Sequence, residues 1–333
     1  MKKFLIFLII VTSPSYAEAD KNQNIIPKWE ISDKEGFLEN LTWKKVEKPL
    51  LKFSNIINKK YKFESDVKAL GRSVTLNDFY YPEISNYVPN AYVESSNKSI
   101  TAFVRGLSKT RFCQGENFSK TCRDGIFDVD FNLINYDKFS FNPKLTIQSL
   151  SDRGTKFGEA SSLGFKSALK ISPKWSLAFG GENIIHFDNK SDLGRNFYLV
   201  GSTFYPLNSK EKPAILFLNA GIGSDFYGYG GNGYIARTSC LGTPNLTGEG
   251  TDFCNWGPIG SITIAFNDRI SLINEWFGYG YGTGISYRPL KESSLAFSIY
   301  ATDYIRNFPN YIKDHCQNDS CETRLYGGIS FSF

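Results

Sequence analysis

"TRLYGGISFSF" (residues 323–333) alternates without a break. Leu325, Gly327, Ile329, Phe331 and Phe333 fall on one side, and Tyr326, Gly328, Ser330 and Ser332 on the other. Successive side chains of a strand point to opposite faces, so this is a strand with one apolar face and one small or polar face. Soluble domains tend to trail off in polar tails. Here Phe333 is instead expected to hold a definite place in a sheet.

The other end narrows the choice. "MKKFLIFLIIVTSPSYAEAD" has a basic start at Lys2 and Lys3, an apolar run from Phe4 to Val11, and the small-residue "SYA" before Glu18. This is the layout of a secretory signal peptide of residues 1–17, too short to span a bilayer. The net charge is +5, and loss of Lys2 and Lys3 leaves +3, a weak balance that gives no case for nucleic acid. Aromatic residues make up 16% of the chain, with Gly and Asn/Asp punctuation, which favours an all-β protein. No later segment has the ~18 uninterrupted apolar residues of a membrane helix, so a membrane location requires a closed barrel.

From residue 98 onward, strand-like segments recur at 99–106, 125–134, 139–150, 161–171, 174–185, 196–206, 213–224, 256–266, 268–278, 281–289, 293–302 and 323–333. Their faces differ. Phe127, Val129, Phe131 and Leu133 oppose Asp128, Asp130 and Asn132; Leu163, Phe165, Leu169 and Ile171 oppose Lys166 and Lys170. A soluble sandwich would show the same one-sided pattern. The connections discriminate better, because short links ("NYDK", "SPK", "LNSKEK", "N", "LKE") alternate with long ones, apart from the tight "YG" after Gly278. Short turns on one rim and long loops on the other are the outer-membrane barrel arrangement.

The six cysteines fall in three long loops, as Cys113 and Cys122, Cys240 and Cys254, and Cys316 and Cys321. An even count in an exported chain reads as disulfides. Zinc is the competing idea beside His315, but the spacings do not repeat and no second histidine is near, so neither metal nor cofactor is expected.

With these features in place, "LYGGISFSF" resembles the C-terminal signal of bacterial outer-membrane β-barrels, a final Phe with apolar residues at every second position before it. The resemblance covers architecture over residues 98–333 and transfers no functional residue. It implies an assembly signal in Leu325, Ile329, Phe331 and Phe333, recognition by the barrel-assembly machinery, and insertion into outer-membrane lipid.

Residues 18–97 break the pattern, being rich in Lys, Asn and Glu. They are expected to form a plug entering the barrel, a periplasmic extension, or a loosely ordered leader, with a short helix near 37–46 and irregular structure over 78–92. Catalytic motifs are scarce. His186, Asp188 and Ser191 are near-consecutive loop residues, seldom a triad, and no nucleophile motif accompanies them. "GYGGNGY" (228–234) lacks a following "GK[ST]", and nothing about Asp225 and Asp252 demands calcium. No enzyme activity is expected.

The sequence therefore predicts a twelve-stranded outer-membrane barrel with porin-like passage of small solutes. Arg105, Asp128, Asp130, Lys166, Lys170, Glu182, Glu275 and Arg288 are the candidate lumen-lining groups. Eight strands leave a filled interior and sixteen an open channel, so twelve leaves room for either. A non-conducting surface protein that uses its disulfide-bearing loops for binding or shielding is the alternative, and a soluble secreted sandwich the third. Bonds Cys113–Cys122, Cys240–Cys254 and Cys316–Cys321 are expected, each contributing ~2–4 kcal/mol by loop entropy. Peptide mapping without reduction checks them, and a crosslink between two different loops excludes local pairing.

Overall fold

The computed structural model describes residues 66–108, 124–148, 150, 157–188, 195–209, 211–224, 236–239, 253–278, 280–306 and 323–333, all within one compact unit, residues 57–333. The signal segment, the helix expected near 37–46, and Cys113, Cys122, Cys240, Cys316 and Cys321 lie outside the described residues. Cys254 is described by its main chain, which pairs with Thr238.

Three short strands come first. β1 (Val67–Leu70), β2 (Ser73–Leu76) and β3 (Phe79–Tyr81) form a small antiparallel sheet where irregular structure was expected over part of the same stretch. Then follow β4 (Ile100–Leu107), β5 (Asp124–Phe131), β6 (Ile134–Asn135), β7 (Phe139–Ile147), β8 (Ser161–Lys170), β9 (Trp175–His186), β10 (Asn196–Pro206) and β11 (Ile215–Ser224). After these come β12 (Ala236–Ser239), β13 (Phe253–Ala265), β14 (Ile270–Phe277), β15 (Gly280–Tyr287), β16 (Ala296–Arg306) and β17 (Arg324–Ser332). Sequential strands pair antiparallel; β6 resumes the line of β5 beyond Asn132 and Leu133, and β12 lies along the outer end of β13.

Two pairings make the sheet a ring: β11 with β13, and β17 with β4 from Tyr326↔Leu107 to Ser332↔Thr101. The result is a closed antiparallel barrel of twelve strands. The seam is bonded to its last residue, since Phe333 N–H donates to Ile100 O (2.9 Å) and Ser99 N–H donates to Phe333 O (2.8 Å). Closure pairs each of the twelve wall strands on both sides, so the ring itself offers no edge on which another chain could template.

The two faces of the wall separate as alternation requires. On β17, Leu325 and Ile329 are 53% and 47% exposed, whereas Tyr326 and Ser330 are 3% and 2%. Val104, Leu169, Leu177, Phe179, Leu199, Ile262, Ile285 and Ile299 continue the outward apolar belt on other strands. Exposed aromatics ring the short-turn rim: Tyr136, Trp175, Tyr205, Phe266, Tyr287 and Phe333. An apolar band bordered by an aromatic girdle is the outer surface of a membrane barrel.

Bulky inward side chains fit because glycines lie opposite them. The Tyr300 ring covers Gly282 and Gly284 of the neighbouring strand, where an added Cβ would come within 2.4 and 2.1 Å of it.

A charge on the outward belt costs ~2–4 kcal/mol at mid-depth. Ile329→Arg and Leu325→Arg should therefore lower the fraction of protein that shifts mobility on boiling, while Leu325→Phe should not. Equal assembly of all three variants would mean that the belt does not face lipid.

Candidate functional site

The lumen is occupied. Residues 66–95 enter at the short-turn rim, climb to an apex at Tyr87, and return to begin β4 at the same rim. The small sheet sits lowest: Tyr81 Oη donates to Pro213 O (3.1 Å), Lys212 lies over the Phe79 ring (4.7 Å), and Lys68 Nζ donates to Asp137 O (2.7 Å). Gly71 turns the chain between β1 and β2 with φ +62°, and a Cβ there would lie 2.7 Å from Thr101 Cγ2 on the wall. Only glycine fits that close, left-handed turn.

Above the sheet the plug has no regular structure of its own, and wall side chains satisfy its main chain. The Glu275 carboxylate accepts N–H bonds from Asn86 (3.0 Å), Tyr87 (2.6 Å) and Val88 (3.3 Å) in succession. Ser271 Oγ donates to Glu83 O (2.6 Å) and Thr263 Oγ1 to Ile84 O (2.5 Å). Ser286, Ser202 and Ser140 accept the N–H groups of Glu83 (3.2 Å), Ala91 (2.7 Å) and Glu94 (3.2 Å).

Packing is lopsided. Val88, Ala91 and Val93 join Ala178, Tyr198, Val200, Ile259 and Phe277 in one apolar cluster. Val67, Ala69, Val74, Leu76, Tyr81, Ile84 and Tyr92 pack with Phe204, Ile215, Phe217 and Ala265 in another. At the apex, the Tyr87 ring lies 4.6 Å from Phe277 and 5.7 Å from Tyr326, with Arg105 over it at 5.1 Å.

The β4–β9 side carries charge instead. Asp128, 3% exposed, accepts from Thr146 Oγ1 (2.8 Å) and lies 3.3 Å from Arg72 Nη2, 3.6 Å from Arg105 Nη2 and 3.8 Å from Lys144 Nζ. Lys144 also reaches Glu182 (3.2 Å); Lys166 binds Glu94 (2.7 Å), and Lys170 binds Asp66 (2.6 Å). Between the plug and this wall lies a cavity of about 70 Å³ bordered by Arg72, Asn86, Asp130, Lys144, Lys166 and Glu182.

Of the eight candidate lining groups, six gather on this side: Arg105, Asp128, Asp130, Lys166, Lys170 and Glu182. Glu275 faces them from β14. Arg288 sits just past β15 at the rim, where it donates to Asp268 O (2.9 Å), Lys291 O (3.0 Å) and Ser293 O (2.8 Å) and ties two short turns together. Burial pushes the neighbouring Asp268 carboxyl up, but the Lys212 bond (2.7 Å) and the charges of Lys212 and Arg288 hold it below the ordinary range. Asp188 accepts from the Ala160 N–H (2.8 Å), with Ser191 outside the described residues. Among the described residues, no group of three His, Cys, Asp or Glu could hold a metal ion.

The partners missed by sequence reading are Arg72 and Glu94, which look like solvated charges, Lys144 on β7, and the inward Ser140, Ser202, Thr263, Ser271 and Ser286. Their signal is faint: a hydroxyl recurring on the polar face of five wall strands.

No family model and no curated protein matches the chain. Among solved structures, the attachment invasion locus protein Ail of Yersinia pestis, in complex with the heparin analogue sucrose octasulfate, is similar at 10% identity. That match covers 71% of this chain and 94% of that one, with a TM-score of 0.16. The barrel assignment rests on the pairing registers above.

Hydrogen bonds to charged groups contribute ~1.5–3 kcal/mol each. Glu275→Ala should thus free the apex of the plug without opening the wall, and Glu275→Gln should loosen it less. Limited proteolysis of the assembled barrel checks this, with cleavage inside residues 82–92 expected in the order Ala above Gln above wild type.

Proposed function

We propose that the protein is an outer-membrane β-barrel, closed at rest by residues 66–95, that passes small polar solutes only when this plug shifts. The observation that carries the reading is the polar cavity between the plug and the β4–β9 wall. Charged groups of both signs border it, whereas a permanent filler would be expected to pack apolar residues there. The outward apolar belt, its aromatic girdle and the alternation of short and long connections support the membrane location, with the cysteine-bearing loops turned to the outside.

The non-conducting surface barrel is the second reading. It is favoured by the number of wall groups spent on holding the plug, since among the described residues seven wall side chains bond its main chain between Glu83 and Glu94.

Single-channel recording in planar bilayers separates the two. Wild-type protein should be silent for most of the record with brief openings, and Glu275→Ala should conduct for most of it. A Glu275→Ala barrel that is intact by heat-shifted mobility, cut within its plug by protease, and still silent would leave the surface-protein reading standing.

A further inference from the structure

One carboxyl of the plug is buried among wall strands outside every ion pair described above. Glu83 is wholly buried, and its main chain is fastened on both sides by Ser286 and Ser271. The hydroxyls of Ser298 on β16 and Ser330 on β17 face its side chain, and among the described residues it makes no ion pair. Arg72 from the first turn of the plug and Arg105 from β4 are the charged groups that act on it most. Both guanidinium groups already bind Asp128. The groups of β14 and β15 that bond its main chain, Ser271 and Ser286, are uncharged, and Glu275 of β14 is taken up by the N–H groups of Asn86 to Val88.

A carboxylate shut away from water without an ion-pair partner is costly, whereas the neutral acid is far less so. Burial accordingly pushes the Glu83 carboxyl above the ordinary range, against the opposing pull of Arg72, Ser330, Ser298 and Arg105. In water that pressure is gone. The seated plug therefore takes up a proton that the released plug does not keep.

We propose that Glu83 is a proton-operated catch: the protonated acid keeps the plug in the lumen, and loss of that proton favours release. The proposal rests on the gated reading above. Its sign follows from linkage. The seated state has the raised pKa, so the catch holds fully below the ordinary glutamate value of ~4.3 and weakens as pH rises through the raised one. A single proton can change the closed-to-open ratio by at most about tenfold per pH unit.

The test uses the full chain, with heat-shifted mobility verifying assembly of each variant. Open fraction in planar bilayers and protease cleavage within residues 82–92 are both followed from about pH 5 to about pH 9, a range chosen to cover a raised carboxyl. Wild type should open and become cleavable as pH rises. Glu83→Gln, which keeps the shape and cannot ionise, should stay closed and protected throughout. Glu275→Ala should be open and cleavable at every pH. Identical pH profiles for wild type and Glu83→Gln, or a wild type that stays protected while Glu275→Ala is cut, would overturn the catch. Should cleavage follow pH as expected while no variant conducts, the catch stands as a control of plug seating and the solute-passage reading falls.

Discussion

A main chain without regular structure cannot sit inside a barrel unless something bonds it, because every buried N–H and C=O needs a partner. From residue 82 to 95 the plug has no sheet of its own except the bridge of Glu94 to Ala69. The wall meets that demand. Three consecutive N–H groups converge on the Glu275 carboxylate, and hydroxyls on β7, β10, β13, β14 and β15 take the N–H and C=O groups around them. Much of the inner face follows from this one requirement. Serine and threonine are short enough to leave room for a second backbone and polar enough to bond it.

The same requirement explains the division of the lumen. Where the plug meets β10 to β14 it presents Val88, Ala91, Ile84 and Tyr92, and the wall answers with Tyr198, Val200, Phe204, Phe217 and Ile259. Where it meets β4 to β9 it presents Arg72 and Glu94, and the wall answers with ions. Apolar contact gains from excluding water, while a buried ion pair roughly breaks even against its desolvation. The charged side is thus where water re-enters at least cost, and the cavity lies there.

The wall was legible in the sequence strand by strand, whereas the plug was legible only as one of three readings of residues 18–97, for physical reasons. A barrel strand writes its two environments into adjacent residues, as Leu325 and Tyr326 do, so alternation reveals each of the twelve wall strands to within a few residues. The plug's determinants lie far from it in the chain: Glu275 binds Asn86 across 189 positions and Ser286 binds Glu83 across 203. Locally, Arg72, Glu83 and Glu94 resemble the charges of a solvated leader. The inward serines resemble the polar face of a water-filled barrel. Charged lining groups could be chosen by parity alone, but parity says which way a side chain points, not what meets it.

The anchors of the plug differ in how firmly they can hold. At the rim, Lys68 pairs with Asp137, whose side chain is 78% exposed, and such pairs are screened and weak. Burial, the first opposing influence on Asp268, is outweighed there because two cations stand beside it in a site still open to solvent. Deeper in, Asp128 binds three cations at once, and removing one partner from a buried set leaves the others uncompensated. The rim ion pairs can therefore be lost at small cost, while the small sheet stays packed on Phe204, Ile215, Phe217 and Ala265. Salt or a solute acting at the short-turn mouth alone would weaken these exposed pairs and leave both the small sheet and Tyr87 seated. Control of the lumen has to reach the interior, where the carboxyls, the arginines and the apex share one poorly hydrated space and a change of a single charge is felt by all of them.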